Sequence, residues 1–181
     1  MEEIIEKPKI FISNKINAAL YVLDDGIFSS IRKISKSQRG ELELTDALKP
    51  YSKNRSIKLV EGKLWLPVGN PAELLEADKK IRDGRNIIGD NTKIKGKVVN
   101  SSIGNNCEVE GDVRDSIIMD NTKIKGGSEV SGCIIGEKVE FSGRAYGCFI
   151  GDNAVAKEVV AKGVSVWPNK KIKGMIEKDV I

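Results

Sequence analysis

Residues 88–96 read IGDNTKIKG, and the pattern returns as IGNNCEVEG at 103–111, IMDNTKIKG at 118–126, IGEKVEFSG at 135–143 and IGDNAVAKE at 150–158. Each block opens with an isoleucine, and successive isoleucines stand 15, 15, 17 and 15 residues apart. A second apolar position follows six residues later in each block, at Ile94, Val109, Ile124, Phe141 and Ala156. A six-residue step between inward aliphatic residues is the hexapeptide signature of a parallel β-helix.

Glycine and asparagine occupy the positions where such a chain must turn, because both tolerate a positive φ. The asparagines stand at 91, 106, 121 and 153, and the glycines at 96, 111, 126 and 143. We expect at least four stacked coils. One buried column should hold Ile88, Ile103, Ile118, Ile135 and Ile150, and a second should hold Ile94, Val109, Ile124 and Phe141.

Two further columns follow from the same register. Small residues stand two positions before four of the isoleucines, at Ser101, Ser116, Cys133 and Cys148, which predicts a packing role for these two cysteines. Cys133 and Cys148 should then be neighbours at about the 4.8 Å strand spacing. Four lysines also recur in register and predict a solvated face, with a site for an acidic ligand as the alternative; they are Lys93, Lys95, Lys123 and Lys125.

Composition excludes several classes of function. Lys and Arg number 30 against 26 Asp and Glu, so the net charge of +4 is small and does not argue for nucleic acid. No apolar run approaches the roughly 20 residues needed to cross a bilayer, and the opening residues MEEIIEKPKI carry carboxylates, so we expect a cytoplasmic protein that does not enter a membrane. The three cysteines form no CxxC pair, which favours reduced thiols. The chain has no histidine, which excludes any mechanism that needs an imidazole.

The first 84 residues predict a mixed α/β layer. Residues 16–23 and 56–62 are strand candidates, Asp24 or Asp25 could cap a helix running to about Ile34, and Asn70 with Pro71 predicts a helix through Arg82. About 80 residues with this apolar content would bury only a marginal core alone.

Four motifs in this part resemble the sugar-binding lobe of the sugar-1-phosphate nucleotidyltransferases, which include glucose-1-phosphate thymidylyltransferases and mannose-1-phosphate guanylyltransferases. Glu6-Lys7-Pro8 matches EKP, residues 17–21 (NAALY) match N-x-G-x-Y, residues 39–46 (RGELELTD) match RGExExTD, and residues 65–71 (WLPVGNP) match W-x-D-x-G-T-P. Residues 166–172 (VWPNKKI) resemble the V-W-P-x-K-x-I close of guanylyltransferase-like β-helices, which predicts a cap or subunit contact for Trp167.

The resemblance implies an α+β partial nucleotidyltransferase lobe over residues 1–84, followed by an all-β left-handed parallel β-helix over 85–181. In this family a sugar-1-phosphate oxygen attacks the α-phosphate of a nucleoside triphosphate, so a lysine and Mg²⁺ must offset the charge of two anions. By resemblance Lys7 would contact the sugar phosphate, while Glu6 and Asn17 would bond the sugar. The alternative for Glu6 and Lys7 is a charge pair on an edge strand.

Two departures from the family pattern bear on activity. The Gly-rich phosphate loop has no counterpart in this sequence, so we expect the nucleotide-binding half to be absent. Pro67 replaces the aspartate that would ligate Mg²⁺, and Ala19 stands where the family prefers glycine. We therefore predict no catalytic residue and no metal ligand on this chain, and Mg²⁺ only in the complete family enzyme.

These features predict the carboxy-terminal portion of an enzyme of nucleotide-sugar synthesis, inactive by itself. It would bind a sugar-1-phosphate and act as one half of a split enzyme with a nucleotide-binding polypeptide, or as a regulatory or assembly subunit with an active paralogue, in a homo- or hetero-oligomer. A non-catalytic β-helix scaffold and a truncated remnant stay open as alternatives. An acyltransferase is disfavoured because those β-helix enzymes usually depend on histidine.

Overall fold

The structure is a computed structural model that describes residues 4–53 and 55–181. It divides into two compact units, Met1–Trp65 and Leu66–Ile181. Helix α3 (Pro71–Arg82) thus belongs to the same compact unit as the β-helix. No helix in the described part of the chain is long and apolar enough to cross a membrane. The predicted domain boundary at residue 84 stays a prediction.

The second unit is a parallel β-helix, which confirms the architecture predicted from the repeats. Its strands are β1 (Ile87–Ile88), β2 (Lys93–Ile94), β3 (Val98–Val99), β4 (Ser102–Ile103), β5 (Glu108–Val109), β6 (Asp112–Arg114), β7 (Ile117–Ile118), β8 (Lys123–Ile124), β9 (Glu129–Ser131), β10 (Ile134–Ile135), β11 (Glu140–Tyr146), β12 (Phe149–Ile150), β13 (Val155–Lys162), β14 (Ser165–Val166) and β15 (Lys171–Ile176). One sheet has six strands stacked in the order β1-β4-β7-β10-β12-β14, and a nine-stranded sheet covers the other faces. All ladders within these sheets are parallel, and each isoleucine of a block pairs with the isoleucine of the next, as Ile103 does with Ile118.

The two predicted columns form the core of this unit, with one correction at its first coil. From the second coil onward the column residues are almost fully buried; they are Ile103, Ile118, Ile135 and Ile150 in one column and Val109, Ile124 and Phe141 in the other. Ile88 and Ile94 are 43% and 37% exposed, so the prediction that they are buried is wrong. Their strands pair with a neighbouring coil on one side only, through β4 and β5.

The corners of the β-helix confirm the role predicted for asparagine. Asn91, Asn106, Asn121 and Asn153 all adopt a left-handed conformation, with φ between 55° and 60°. Lys138 takes the same conformation in the remaining block, at φ 54°. Glycine matters most at residue 96, where an added Cβ would overlap the carbonyl oxygen of Gly111 in the next coil.

Helix α3 is joined to the first coils by a buried polar network. The side chain of Asn70 accepts a hydrogen bond from the Glu73 N–H and caps the helix, as the sequence predicts. At the other end Arg82 is 2% exposed; its Nε donates to Asp78 at 2.6 Å and its guanidinium donates to Asn100 at 2.7 Å. The charge of Arg82 is therefore buried with both partners supplied by the protein.

The first unit contains two short helices, α1 (Gly26–Ile31) and α2 (Leu44–Ser52). Helix α1 begins after Asp25 as predicted, whereas α2 was not predicted. Both pack around a small core of Ile27, Ala47, Leu48 and Tyr51. The strand candidates at 16–23 and 56–62 are not paired strands in the described residues. An isolated strand is not stable without a neighbour in the ladder, so a local apolar run was not sufficient.

Candidate functional site

The predicted sugar-phosphate residues lie in the first unit, where the EKP and RGELELTD motifs meet. Thr45 donates a hydrogen bond from Oγ1 to Oε2 of Glu6 at 3.1 Å, although the two residues are 39 positions apart. Thr45 is 4% exposed and lies in the first turn of α2, whereas Glu6 is half-buried. The positive end of the helix dipole favours a carboxylate at this place. Glu6 is thus held by a fixed donor with part of its side chain open to solvent.

Lys7 and Ala19 both have a positive φ, which is uncommon for residues other than glycine. Lys7 is exposed and has a φ of 40°, a conformation that non-glycine residues rarely adopt and that is further disfavoured before a proline. Ala19 has a φ of 56°, which explains in physical terms why glycine suits this position.

Asn17 is engaged locally with the next residues of its own segment. Its Oδ1 accepts from the Ala19 N–H at 3.1 Å, and its amide donates to the hydroxyl of Tyr21. The structure therefore brings Glu6 together with Thr45, while it places Asn17 in a turn with Ala19 and Tyr21. The contact of Thr45 with Glu6 was not predicted, and the only signal for it in the sequence was the place of Thr45 in the RGELELTD motif.

Position 67 does not fit a magnesium ion. Pro67 is exposed and its side chain offers no oxygen, whereas Mg²⁺ takes oxygen ligands in near-octahedral geometry. The described residues contain no group of three or more His, Cys, Asp or Glu side chains that could hold a metal.

The recurring lysines belong to a ladder of alternating charge on the outside of the β-helix. Glu108 pairs in register with Lys93 on one side and Lys123 on the other. Two positions further along each coil, the Lys95 ammonium lies 2.7 Å from the Glu110 carboxylate. This hydrogen bond lowers the pKa of Glu110 and raises the pKa of Lys95. The lysines are therefore solvated and interleaved with carboxylates, which argues against the alternative of a site for an acidic ligand.

The cysteine column confirms the predicted packing role. All three cysteines are free and buried. Each backbone N–H of the column donates to the side chain one coil before it: Ser116 to Ser101 at 3.1 Å, Cys133 to Ser116 at 3.0 Å, and Cys148 to the Sγ of Cys133 at 3.3 Å. The column thus satisfies buried donors inside the coil and offers no open nucleophile.

Two family models match this chain. The model described as "GMPPB C-terminal domain" matches residues 79–181, and the model described as "Nucleotidyl transferase" matches residues 1–84. The chain belongs to the GMPPB C-terminal domain family, and its first 84 residues are similar to nucleotidyl transferases.

Curated relatives from archaea are similar to a little more than half of this chain. The "Bifunctional sugar-1-phosphate nucleotidylyltransferase/acetyltransferase" of Sulfurisphaera tokodaii is 42% identical over 106 residues, which cover 55% of this chain and 26% of the relative. The "Bifunctional protein GlmU" of Methanocaldococcus jannaschii is 42% identical over 103 residues, 54% of this chain and 25% of the relative. The "Low-salt glycan biosynthesis nucleotidyltransferase Agl11" of Haloferax volcanii is 28% identical over 104 residues, 53% of this chain and 29% of the relative. The matched region thus spans about a quarter of the length of these relatives.

Proposed function

We propose that this chain supplies the sugar-phosphate-binding lobe and the assembly domain of a sugar-1-phosphate nucleotidyltransferase, and that it makes no nucleotide sugar by itself. The observation that carries the proposal is the Thr45–Glu6 contact, which joins two motifs of the sugar-binding lobe in the region matched by the nucleotidyl transferase family. In this proposal Glu6 and Asn17 bind sugar hydroxyls and Lys7 binds the phosphate. A nucleotide-binding module completes the site and brings the Mg²⁺ for which position 67 has no ligand.

The apolar surface of the first unit supports the need for such a module. Phe11, Leu20, Val22 and Val60 are each at least 85% exposed, and all four lie on segments that form no sheet within the described residues. Large apolar side chains this exposed favour contact with another polypeptide. Polypeptide with an apolar sheet face, such as the remainder of a nucleotidyltransferase domain, would cover these side chains and pair with the extended backbone.

The same surface predicts the behaviour of the purified 181-residue chain. We expect dimers or larger species at micromolar concentration in sedimentation velocity, because exposed apolar side chains favour association. A monodisperse monomer would contradict this part of the proposal. The buried free thiols favour a reducing compartment, and we propose the cytoplasm as the place of action.

Pro67 favours a second candidate, a non-catalytic subunit that assembles with an active paralogue. The β-helix would mediate that assembly, while the lobe would bind sugar-1-phosphate without turning it over. Pro67→Asp separates this candidate from a split enzyme, with Pro67→Ala as the matched control that removes the ring but adds no carboxylate.

The experiment supplies the nucleotide-binding part of the Sulfurisphaera relative in trans and measures pyrophosphate release with Mg²⁺, glucose-1-phosphate and each nucleoside triphosphate. Release with the unmodified chain supports a split enzyme. Release that needs Pro67→Asp and does not occur with Pro67→Ala supports a site that lost its metal ligand. No release in any combination supports the assembly subunit.

A further inference from the structure

We propose that Thr45 is the positioning residue that orients Glu6 toward the sugar ring and so determines the preference for a sugar phosphate over free phosphate. This inference rests on the proposed sugar-binding function and assigns a role to a residue outside the predicted site. It follows from one contact, the 3.1 Å hydrogen bond from Thr45 Oγ1 to Glu6 Oε2.

The position of Thr45 is fixed by its surroundings. Thr45 is 4% exposed and lies in the first turn of α2. Ala47 and Leu48, two and three positions further along the helix, are in the core of this unit. Threonine is also stiff at χ1 because it is branched at Cβ. The hydroxyl is therefore held in place before any ligand binds.

Glu6 has no such support of its own. It lies on an irregular segment and is followed by Lys7 in a left-handed conformation. A free glutamate side chain samples many rotamers, and fixing it when a ligand binds costs affinity. A carboxylate offers about four acceptor positions, so the bond to Thr45 leaves others for sugar hydroxyls. Thr45 thus prepares Glu6 to accept hydrogen bonds without competing for them.

Binding of glucose-1-phosphate and of inorganic phosphate can distinguish this role of Thr45 from a general effect on stability. Lys7 would contact the phosphate that both ligands carry, whereas Glu6 would contact only the sugar. Loss of the Thr45 hydroxyl should therefore weaken glucose-1-phosphate binding by roughly tenfold, the value of about one hydrogen bond, and leave phosphate binding unchanged. The dissociation constant for phosphate divided by that for glucose-1-phosphate measures the preference for the sugar phosphate, and a fall in this ratio reports the effect of Thr45 on Glu6.

The test measures this ratio by isothermal titration calorimetry on the full chain, on four single variants and on the double variant that combines Thr45→Val with Glu6→Ala. Thr45→Val removes the hydroxyl and keeps the shape, Thr45→Ser restores a donor, and Glu6→Ala removes the acceptor. Ser52→Ala is the matched control, since Ser52 lies in the same helix and its hydroxyl donates to the Lys49 carbonyl. Thr45→Ala replaces the valine variant if thermal melting shows that valine prevents folding.

We expect Thr45→Val to lower the ratio about tenfold, Thr45→Ser to retain it and Ser52→Ala to leave it unchanged. In the Glu6→Ala background, which lacks the acceptor, Thr45→Val should have no further effect. If the unmodified chain does not prefer glucose-1-phosphate to phosphate, the proposed sugar site fails and this inference fails with it. If the unmodified chain shows the preference and Thr45→Val keeps it, the sugar site stands and the role of Thr45 is overturned.

Discussion

Replacing Ile118 in the central part of the β-helix should cost a large share of the free energy of unfolding. Ile118 is 1% exposed and its strand pairs with those of Ile103 and Ile135, so no side of the residue can relax into solvent. Ile118→Ala should therefore cost about 2–5 kcal/mol. Ile118→Asp should unfold this unit, because burying an unpaired carboxylate costs several kcal/mol against a total stability of about 5–15 kcal/mol.

The same substitution at Ile88 provides the control within one column. Ile88 is already 43% exposed, so Ile88→Ala removes a side chain that leaves a much smaller cavity. Urea unfolding followed by far-ultraviolet circular dichroism gives the midpoint and slope for each variant. The buried column is refuted as the source of stability if Ile118→Ala and Ile88→Ala lose equal free energies of unfolding. It is also refuted if the urea midpoint of Ile118→Ala stays near that of the unmodified chain.

Two further substitutions test the backbone argument, each against a control at a residue of the same type. Ala19→Gly should stabilise the first unit by about 0.5–1 kcal/mol, because relief of the left-handed alanine outweighs the entropy of glycine. Ala18→Gly, at a residue without a positive φ, should destabilise it. Destabilisation by Ala19→Gly together with stabilisation by Ala18→Gly would show that φ is not the cause. Gly96→Ala should lower the free energy of unfolding by at least about 2 kcal/mol, because the new Cβ overlaps the next coil. The Cβ of Gly126→Ala meets nothing closer than 3.9 Å, so this control should change the melting temperature little. Equal effects of the two substitutions on the melting temperature would contradict the close approach at Gly96.

The β-helix was predictable because its periodicity is local and repeated. Each coil supplies the environment of the next, so one register predicted the buried residues of the two isoleucine-led columns wherever a coil lies on both sides. The prediction failed at Ile88 and Ile94 because burial there depends on what lies beyond the first coil. No periodicity in the sequence reports such an end effect.

The first unit was harder to predict because its contacts are not periodic. The strand candidates at 16–23 and 56–62 depend on ladder partners that a local apolar pattern cannot specify. The Thr45–Glu6 contact joins residues 39 positions apart, so neither spacing nor composition could indicate it. The motifs predicted Glu6 as a site residue, whereas its orientation by α2 required the structure.

Pyrophosphate release by the purified 181-residue chain alone tests the central claim most directly. The assay contains Mg²⁺, one nucleoside triphosphate and one sugar-1-phosphate at a time, with glucose-1-phosphate and mannose-1-phosphate as the first sugars. We predict no release above the protein-free blank, because Pro67 provides no oxygen for the metal. In our proposal, moreover, the nucleotide-binding module is supplied by another polypeptide. Sustained turnover that rises in proportion to the concentration of the unmodified chain would contradict the account.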